Sequence, residues 1–220
     1  MEREAVQAIT DHYQKTFEVT DELWKERNRL FVFLALTSGI GVLLLLPVPE
    51  VSKLLVDAIA KLLGITDPAR VSQLYQDFPL DILLSILLVI VFYLMQKLNS
   101  TNLSVMRNYL YLGAMESEIR QDLDLPKDSV SFTREGSFYW GRRSLMQAMS
   151  KWYYILVVMI VLLPFLILKL VSDFSSRNII MIIVDIIVTF LTLLYFIDYA
   201  RSAVKLDVSR VPRSISSGDR

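Results

Sequence analysis

The feature that most constrains this chain is a set of four long apolar runs that are almost free of charged residues. Each run has about 17 to 21 residues, and a helix of that length matches a hydrocarbon core of ~30 Å. Hydrophobic residues make up 54% of the chain, above the ~45–50% usual in soluble domains. The sequence therefore predicts an all-α integral membrane protein with four transmembrane helices in two hairpins and a small helical cytoplasmic region. The runs extend approximately over Leu30–Leu46, Leu80–Leu98, Trp152–Val171 and Ile179–Tyr199.

Lysine and arginine residues are distributed unevenly around these runs. Eighteen of the 23 lie before the first run, in the segment from Gln96 to Lys151, or after the fourth run. This count places Lys169 with the short loop that follows the third run, and it finds no lysine deep in any run. Because positive charge is retained on the cytoplasmic face of a membrane, we expect a multi-pass protein with both termini in the cytoplasm.

Apolar spacing outside the runs predicts further helices. The outer amphipathic helix either lies on the membrane surface or packs against the spans. Alternation of apolar and polar residues at 129–140 predicts a short β-hairpin. The predicted parts are a cytoplasmic amphipathic helix at 1–29, the first transmembrane hairpin at 30–98 with an outer helix at 50–63, a cytoplasmic segment at 99–151, the second transmembrane hairpin at 152–199, and a disordered tail at 200–220.

Several kinds of chemistry lack the residues that they need. The chain has no cysteine and one histidine, His12, which excludes thiolate or histidine-rich metal sites within one chain. Its seven glycines form no phosphate-binding pattern. We therefore predict that the protein is not an enzyme and has no cofactor and no metal.

The fourth run carries the strongest candidate for a functional residue, Asp185. An ionisable side chain in hydrocarbon costs several kcal/mol and usually faces a bundle interior or a wet cavity. Asn178, Thr189 and Thr192 fall on the same helical stripe. The stripe is either a pore-lining or ion-binding face, or a set of polar contacts that join neighbouring helices.

A second candidate lies in the cytoplasmic segment, where Arg134, Trp140, Arg142 and Arg143 combine arginines with an aromatic ring. Aromatic rings can stack on bases while guanidinium groups bind phosphate. The expected ligand is a nucleotide, an oligonucleotide or a protein partner. The alternative is that the arginines set membrane topology while the aromatic residues pack a small subdomain.

The cytoplasmic stretches Tyr111-Leu112, Glu116–Arg120 and Phe132–Arg143 resemble small multi-span membrane effector proteins of bacterial anti-phage defence systems. The resemblance implies an effector of the bacterial inner membrane. Such an effector oligomerises and permeabilises the membrane when a cytoplasmic signal arrives. No residue roles carry over from it.

Two functional hypotheses follow from these observations. Four short spans leave little room for a path within one protomer, so a homo-oligomer in the lipid bilayer is the expected form of a pore lined by the Asp185 stripe. The alternative is a non-conducting scaffold that recruits a cytoplasmic partner through residues 99–151.

Overall fold

The computed structural model describes residues 3–46, 49–126, 145–175 and 179–205. These residues form helices and contain no strand, which confirms the all-α prediction for the described part of the chain. The β-hairpin predicted at 129–140 and most of the predicted tail lie outside these residues. The helices are α1 (Arg3–Leu45), α2 (Pro49–Leu62), α3 (Pro68–Asp77), α4 (Leu80–Asp122), α5 (Leu145–Ser175) and α6 (Ile179–Lys205).

Four of these helices, α1, α4, α5 and α6, are long and apolar enough to cross a membrane. Their outward faces carry large apolar side chains that are more than half exposed, among them Leu36, Ile86, Ile160 and Ile183. Soluble monomers rarely expose apolar surface on this scale. The four predicted runs thus correspond to four helices of a length and surface compatible with a multi-pass membrane protein.

The four long helices alternate in direction around a bundle. Both α4 and α5 pack against α1, and both also pack against α6, so that α1 and α6 lie diagonally opposite. We call the end where α1 and α5 end and α4 and α6 begin the loop side. The opposite end, where α1 begins and α4 and α6 end, is the terminal side.

The helices α1 and α4 continue well beyond the apolar runs on the terminal side. Each has 43 residues, or ~64 Å of helix, about twice the thickness of a hydrocarbon core. We call residues 3–29 of α1 and 99–122 of α4 the stalk. Neither helix is interrupted at the predicted boundaries 29/30 and 98/99.

The stalk is an antiparallel pair with a heptad core. The buried residues Leu98, Val105, Leu112 and Ile119 recur on α4 every seven residues, the spacing at which helices pack side by side as a coiled coil. Polar contacts fix the antiparallel direction. The Tyr13 hydroxyl donates to Glu116 Oε1 at 2.8 Å, and Lys97 pairs with Glu26 at 3.5 Å.

The two short helices lie on the loop side. The helix α2 covers the segment of the predicted outer amphipathic helix and packs mainly against α3, with a smaller contact to α1. It leaves Leu54 and Leu62 69% and 87% exposed. The helix α2 starts four residues after α1 ends, and the long helices do not cover these two leucines. In the described structure α2 therefore packs little against the long helices, and its position on a membrane surface stays a prediction.

Close contact between α1 and α5 depends on Gly41. A Cβ atom added at Gly41 would overlap the ring of Phe165, which is fully buried. We expect Gly41→Ala to lower the stability of the bundle by about 1–3 kcal/mol, the usual cost of overpacking a core. The measurement is the midpoint of thermal unfolding in detergent micelles.

The matched control for this prediction is Gly39→Ala, two positions earlier in the same turn of α1. A Cβ atom there would meet only Val161 Cγ1 at 3.9 Å, an ordinary contact. Since alanine favours a helix over glycine, Gly39→Ala should leave the midpoint unchanged or raise it. Equal midpoints for the two variants would contradict the α1–α5 packing.

Candidate functional site

Three ionisable side chains meet inside the bundle near its loop side. The Lys169 ammonium donates to Asp173 Oδ1 on the next turn of α5 and to Asp185 Oδ2 on α6 at 2.6 Å. The exposed fractions of these side chains are 1%, 4% and 1% for Lys169, Asp173 and Asp185. We call these three residues the charge cluster.

A third helix contributes Ser85 of α4 to this site. The Ser85 hydroxyl lies 2.6 Å from Asp185 Oδ2 and 3.0 Å from the backbone carbonyl of Asp81. A hydroxyl has one proton, so Ser85 donates to one of these oxygens at a time. When Ser85 donates to Asp185, that carboxylate receives donors from both α4 and α5.

Helix geometry brings the cluster together. Lys169 and Asp173 are four residues apart, which places them on the same face of α5. Lys169 lies six residues before the end of α5, and Asp185 lies six residues after the start of α6. Because the two helices form an antiparallel hairpin, both residues sit ~9 Å from its loop-side end.

The charges in the cluster do not balance one to one. Two carboxyl groups face one ammonium group, and all three are removed from solvent. In addition, Asp173 Oδ2 is buried and makes no hydrogen bond. A buried ion pair is stabilised only when its geometry and its remaining hydrogen bonds offset the loss of hydration. The second carboxyl group therefore exceeds what is needed to pair Lys169.

The structure corrects the expectation that no lysine lies deep in a run. The sequence places Lys169 with the loop, whereas α5 continues to Ser175 and buries this residue completely. The missed signal was the four-residue spacing of Lys169 and Asp173 in an otherwise apolar helix. Asp185 follows 16 residues after Lys169, so that the Lys169 ammonium lies within reach of two carboxyl groups once the chain folds back.

The polar stripe predicted on the fourth run lies on one buried face of α6. Asp185, Thr189 and Thr192 are 1%, 4% and 0% exposed and face the interior of the chain's own bundle. The Thr192 hydroxyl donates to the Val188 carbonyl at 2.7 Å, whereas Thr189 Oγ1 is buried without a hydrogen bond. The fourth residue of the stripe, Asn178, lies outside the described residues.

A second set of polar contacts joins α4 and α6 nearer the terminal side. The Asn99 amide donates to Asp198 Oδ2 at 2.8 Å, and the Asn102 amide donates to Ser202 Oγ at 3.2 Å. On α6, Ser202 is buried like the residues of the stripe, whereas Asp198 is exposed and lies on a different side of the helix.

The proposed cytoplasmic ligand-binding residues Arg134, Trp140, Arg142 and Arg143 lie outside the described residues. Within the described part of the chain, no group of three or more His, Cys, Asp or Glu side chains is arranged to hold a metal ion.

Comparison with known proteins gives no relative for this chain. No protein-family model, no curated protein and no solved structure matches it.

Proposed function

We propose that this protein is a gated ion-conducting membrane protein whose path runs along the polar inner face of α6. The observation that carries the proposal is the charge cluster. Ionisable side chains are rare within membrane spans, and those that occur commonly mark ion pathways or proton relays. Polar contacts that only join helices need no more than a balanced pair, whereas this cluster has a surplus carboxyl group.

Buried hydroxyl groups support a path through the bundle. Ser38 Oγ on α1 and Thr189 Oγ1 on α6 are both buried and make no hydrogen bond. A buried polar group without a partner costs about 1–3 kcal/mol. A permeating ion or water molecule would supply the polar partner that these hydroxyl groups lack in the closed bundle.

An apolar plug would keep this path closed. Leu88, Met95 and Phe165 are fully buried and lie between the charge cluster and the terminal-side contacts of Asn99. Hydrophobic constrictions close channels by excluding water. Next to Phe165, Pro164 interrupts the backbone hydrogen bonding of α5, which provides a place for this helix to bend when the plug opens.

The proposal includes a signal, an orientation and an assembly. The stalk would lie in the cytoplasm of a bacterial cell with both termini, as the lysine and arginine distribution indicates. There it would transmit binding of a nucleotide, oligonucleotide or protein, consistent with the resemblance to anti-phage effectors. Self-association is supported by an apolar groove of about 460 Å³ between α1 and α5, lined in part by Ala35 and Gly39. Small residues of this kind let helices approach closely.

We test conduction with a variant that needs no signal. Met95→Ser puts a hydroxyl group into the plug, and we expect purified protein in liposomes to conduct ions at least ~10-fold faster than wild type, a barrier change of about 1.4 kcal/mol. Adding Asp185→Asn to that variant should reduce the flux again, since the path loses a carboxylate. Fluorescent dyes for protons and for potassium report the flux.

The control is Met159→Ser, the same substitution at a residue that is 39% exposed on the outward face of α5. Its vesicles should remain as tight as those of wild type. If Met95→Ser protein is folded and its vesicles do not leak, conduction along this path is excluded.

A non-conducting scaffold is the second candidate, and the stalk favours it. A pair of helices that reaches ~36–40 Å beyond the apolar runs offers a large surface for a protein partner. A scaffold predicts tight vesicles for every variant and loss of partner capture when Arg142 and Arg143 are both changed to alanine.

A further inference from the structure

We propose that the charge cluster binds one proton, shared between Asp173 and Asp185, so that the three ionisable groups are neutral together. The argument starts from the two hydrogen bonds of the Lys169 ammonium. Both carboxyl groups bind the same nitrogen, so their nearest oxygens are within two hydrogen-bond lengths of each other. Two carboxyl groups at this separation disfavour double ionisation, and one of the pair retains a proton.

Burial strengthens this argument. With both carboxyl groups ionised, the cluster would carry a net charge of −1 in a site where every member is at least 96% removed from solvent. An uncompensated buried charge is costly enough that a group normally binds a proton instead. Asp173 Oδ2 is buried and makes no hydrogen bond, so this oxygen is available to carry the proton.

The bound ion is a hydrogen ion rather than a metal cation. The Lys169 nitrogen already occupies the position between the two carboxyl groups where a metal ion would bind. A metal ion would have to displace this ammonium or bind beside it, and the like charges repel. A proton needs no such space, since it resides on a carboxyl oxygen.

Among the residues that the structure describes, no other titratable side chain in the adjoining parts of α1, α4, α5 and α6 supplies the missing charge, and Arg177 lies outside those residues. The helix α4 contributes the Ser85 hydroxyl, and Asp81 on the same helix is exposed and offers its backbone carbonyl. The part of α1 from Leu30 to Leu45 has no titratable side chain, and neither α6 from Ile179 to Leu194 nor α5 from Ile155 to Ser175 has any outside the cluster. Within the described residues, the net charge of the site therefore depends on Lys169, Asp173 and Asp185.

This inference rests on the proposed function in one respect, because it names the permeant ion of that function as the proton. The shared proton passes from one carboxyl group to the other while both Asp173 and Asp185 stay hydrogen-bonded to the Lys169 ammonium. The cluster would thus act as the loop-side relay of the path. The presence of the proton itself does not require conduction.

Infrared spectroscopy of the full-length protein in lipid vesicles tests the inference. The carbonyl stretch of a protonated carboxylic acid is separate from the bands of ionised carboxylates. Aspartate labelled with ¹³C at the side-chain carboxyl shifts the band of an aspartic acid, which distinguishes it from Glu116, another buried carboxyl group. At neutral pH we expect a band of one protonated aspartic acid per chain.

Substitutions in the cluster show which residues give rise to that band. It should disappear in Asp173→Asn and in Asp185→Asn, because the remaining carboxyl group then pairs one to one with Lys169. It should persist in the control Asp81→Asn. The inference is overturned if the labelled wild type shows no such band, or if the band survives both substitutions in the cluster. The infrared band is measured independently of ion flux. A band in a protein that conducts no ions supports the shared proton and contradicts the proposed function. Flux without the band supports the proposed function and contradicts the shared proton.

Discussion

Replacing Lys169 by methionine is expected to destabilise the bundle more than any other single change considered. Methionine keeps most of the length of the side chain but removes the ammonium group that two buried carboxyl groups share. Breaking a buried ion pair by removing one partner typically costs about 3–5 kcal/mol. We expect a corresponding fall in the thermal unfolding midpoint of the protein in detergent micelles, followed by circular dichroism.

Two comparisons separate the loss of charge pairing from the loss of side-chain volume. In the triple variant Lys169→Met, Asp173→Asn, Asp185→Asn, all three groups are neutral, and most of the lost stability should return. The surface control is Lys25→Met, since Lys25 also pairs with an aspartate four residues away but both side chains are about half exposed or more. Exposed pairs contribute ~0–1 kcal/mol. If Lys169→Met and Lys25→Met unfold at the same temperature, the charge cluster does not form in the folded protein.

Truncation of Leu112 is expected to have the second-largest effect, and it acts on the stalk. Leu112 is fully buried on α4, far from the apolar runs. Leu→Ala in a core costs about 2–5 kcal/mol. Because the stalk holds together through one narrow seam, we expect Leu112→Ala to open it locally. Hydrogen exchange of backbone amides should then become faster in residues 3–29 and 99–122 and remain unchanged in the spans.

The matched control is Leu110→Ala, the same substitution two residues away at a side chain that is 40% exposed. Its exchange rates should stay close to those of wild type, since surface substitutions usually change stability by less than ~0.5 kcal/mol. Similar rates for the two variants would show that residues 99–122 do not pack against α1. The scaffold alternative would lose its main support with that result.

The sequence alone determined the number and approximate limits of the apolar helices. Runs such as Leu80–Leu98 are long and continuous, and a bilayer leaves a segment of this kind few structures other than a helix, because every backbone polar group must be satisfied within the segment. The sequence also singled out Asp185, because one ionisable residue in hydrocarbon is conspicuous without any knowledge of its neighbours.

Only the tertiary structure decided what Asp185 contacts and in which direction it points. A periodic stripe shows that Asp185, Thr189 and Thr192 share a face, but the stripe cannot tell whether that face points towards another copy or towards the same chain. The direction depends on how α6 packs against α4 and α5. That packing turns the stripe inward and brings Ser85, 100 residues earlier in the chain, to Asp185.

Lys169 was assigned wrongly for a related reason. Near the end of a run, a lysine can extend to the membrane boundary with its charge in water, so the sequence favoured a loop-side position that contributes to topology. Whether the ammonium group reaches water or turns inward depends on the partners that neighbouring helices place within its reach. Asp173 lies on its own helix, but Asp185 reaches it only through the antiparallel α5–α6 hairpin. Local sequence therefore determined the helices, and long-range packing determined the charge cluster, because the energy of a buried charge depends on groups that are distant in sequence.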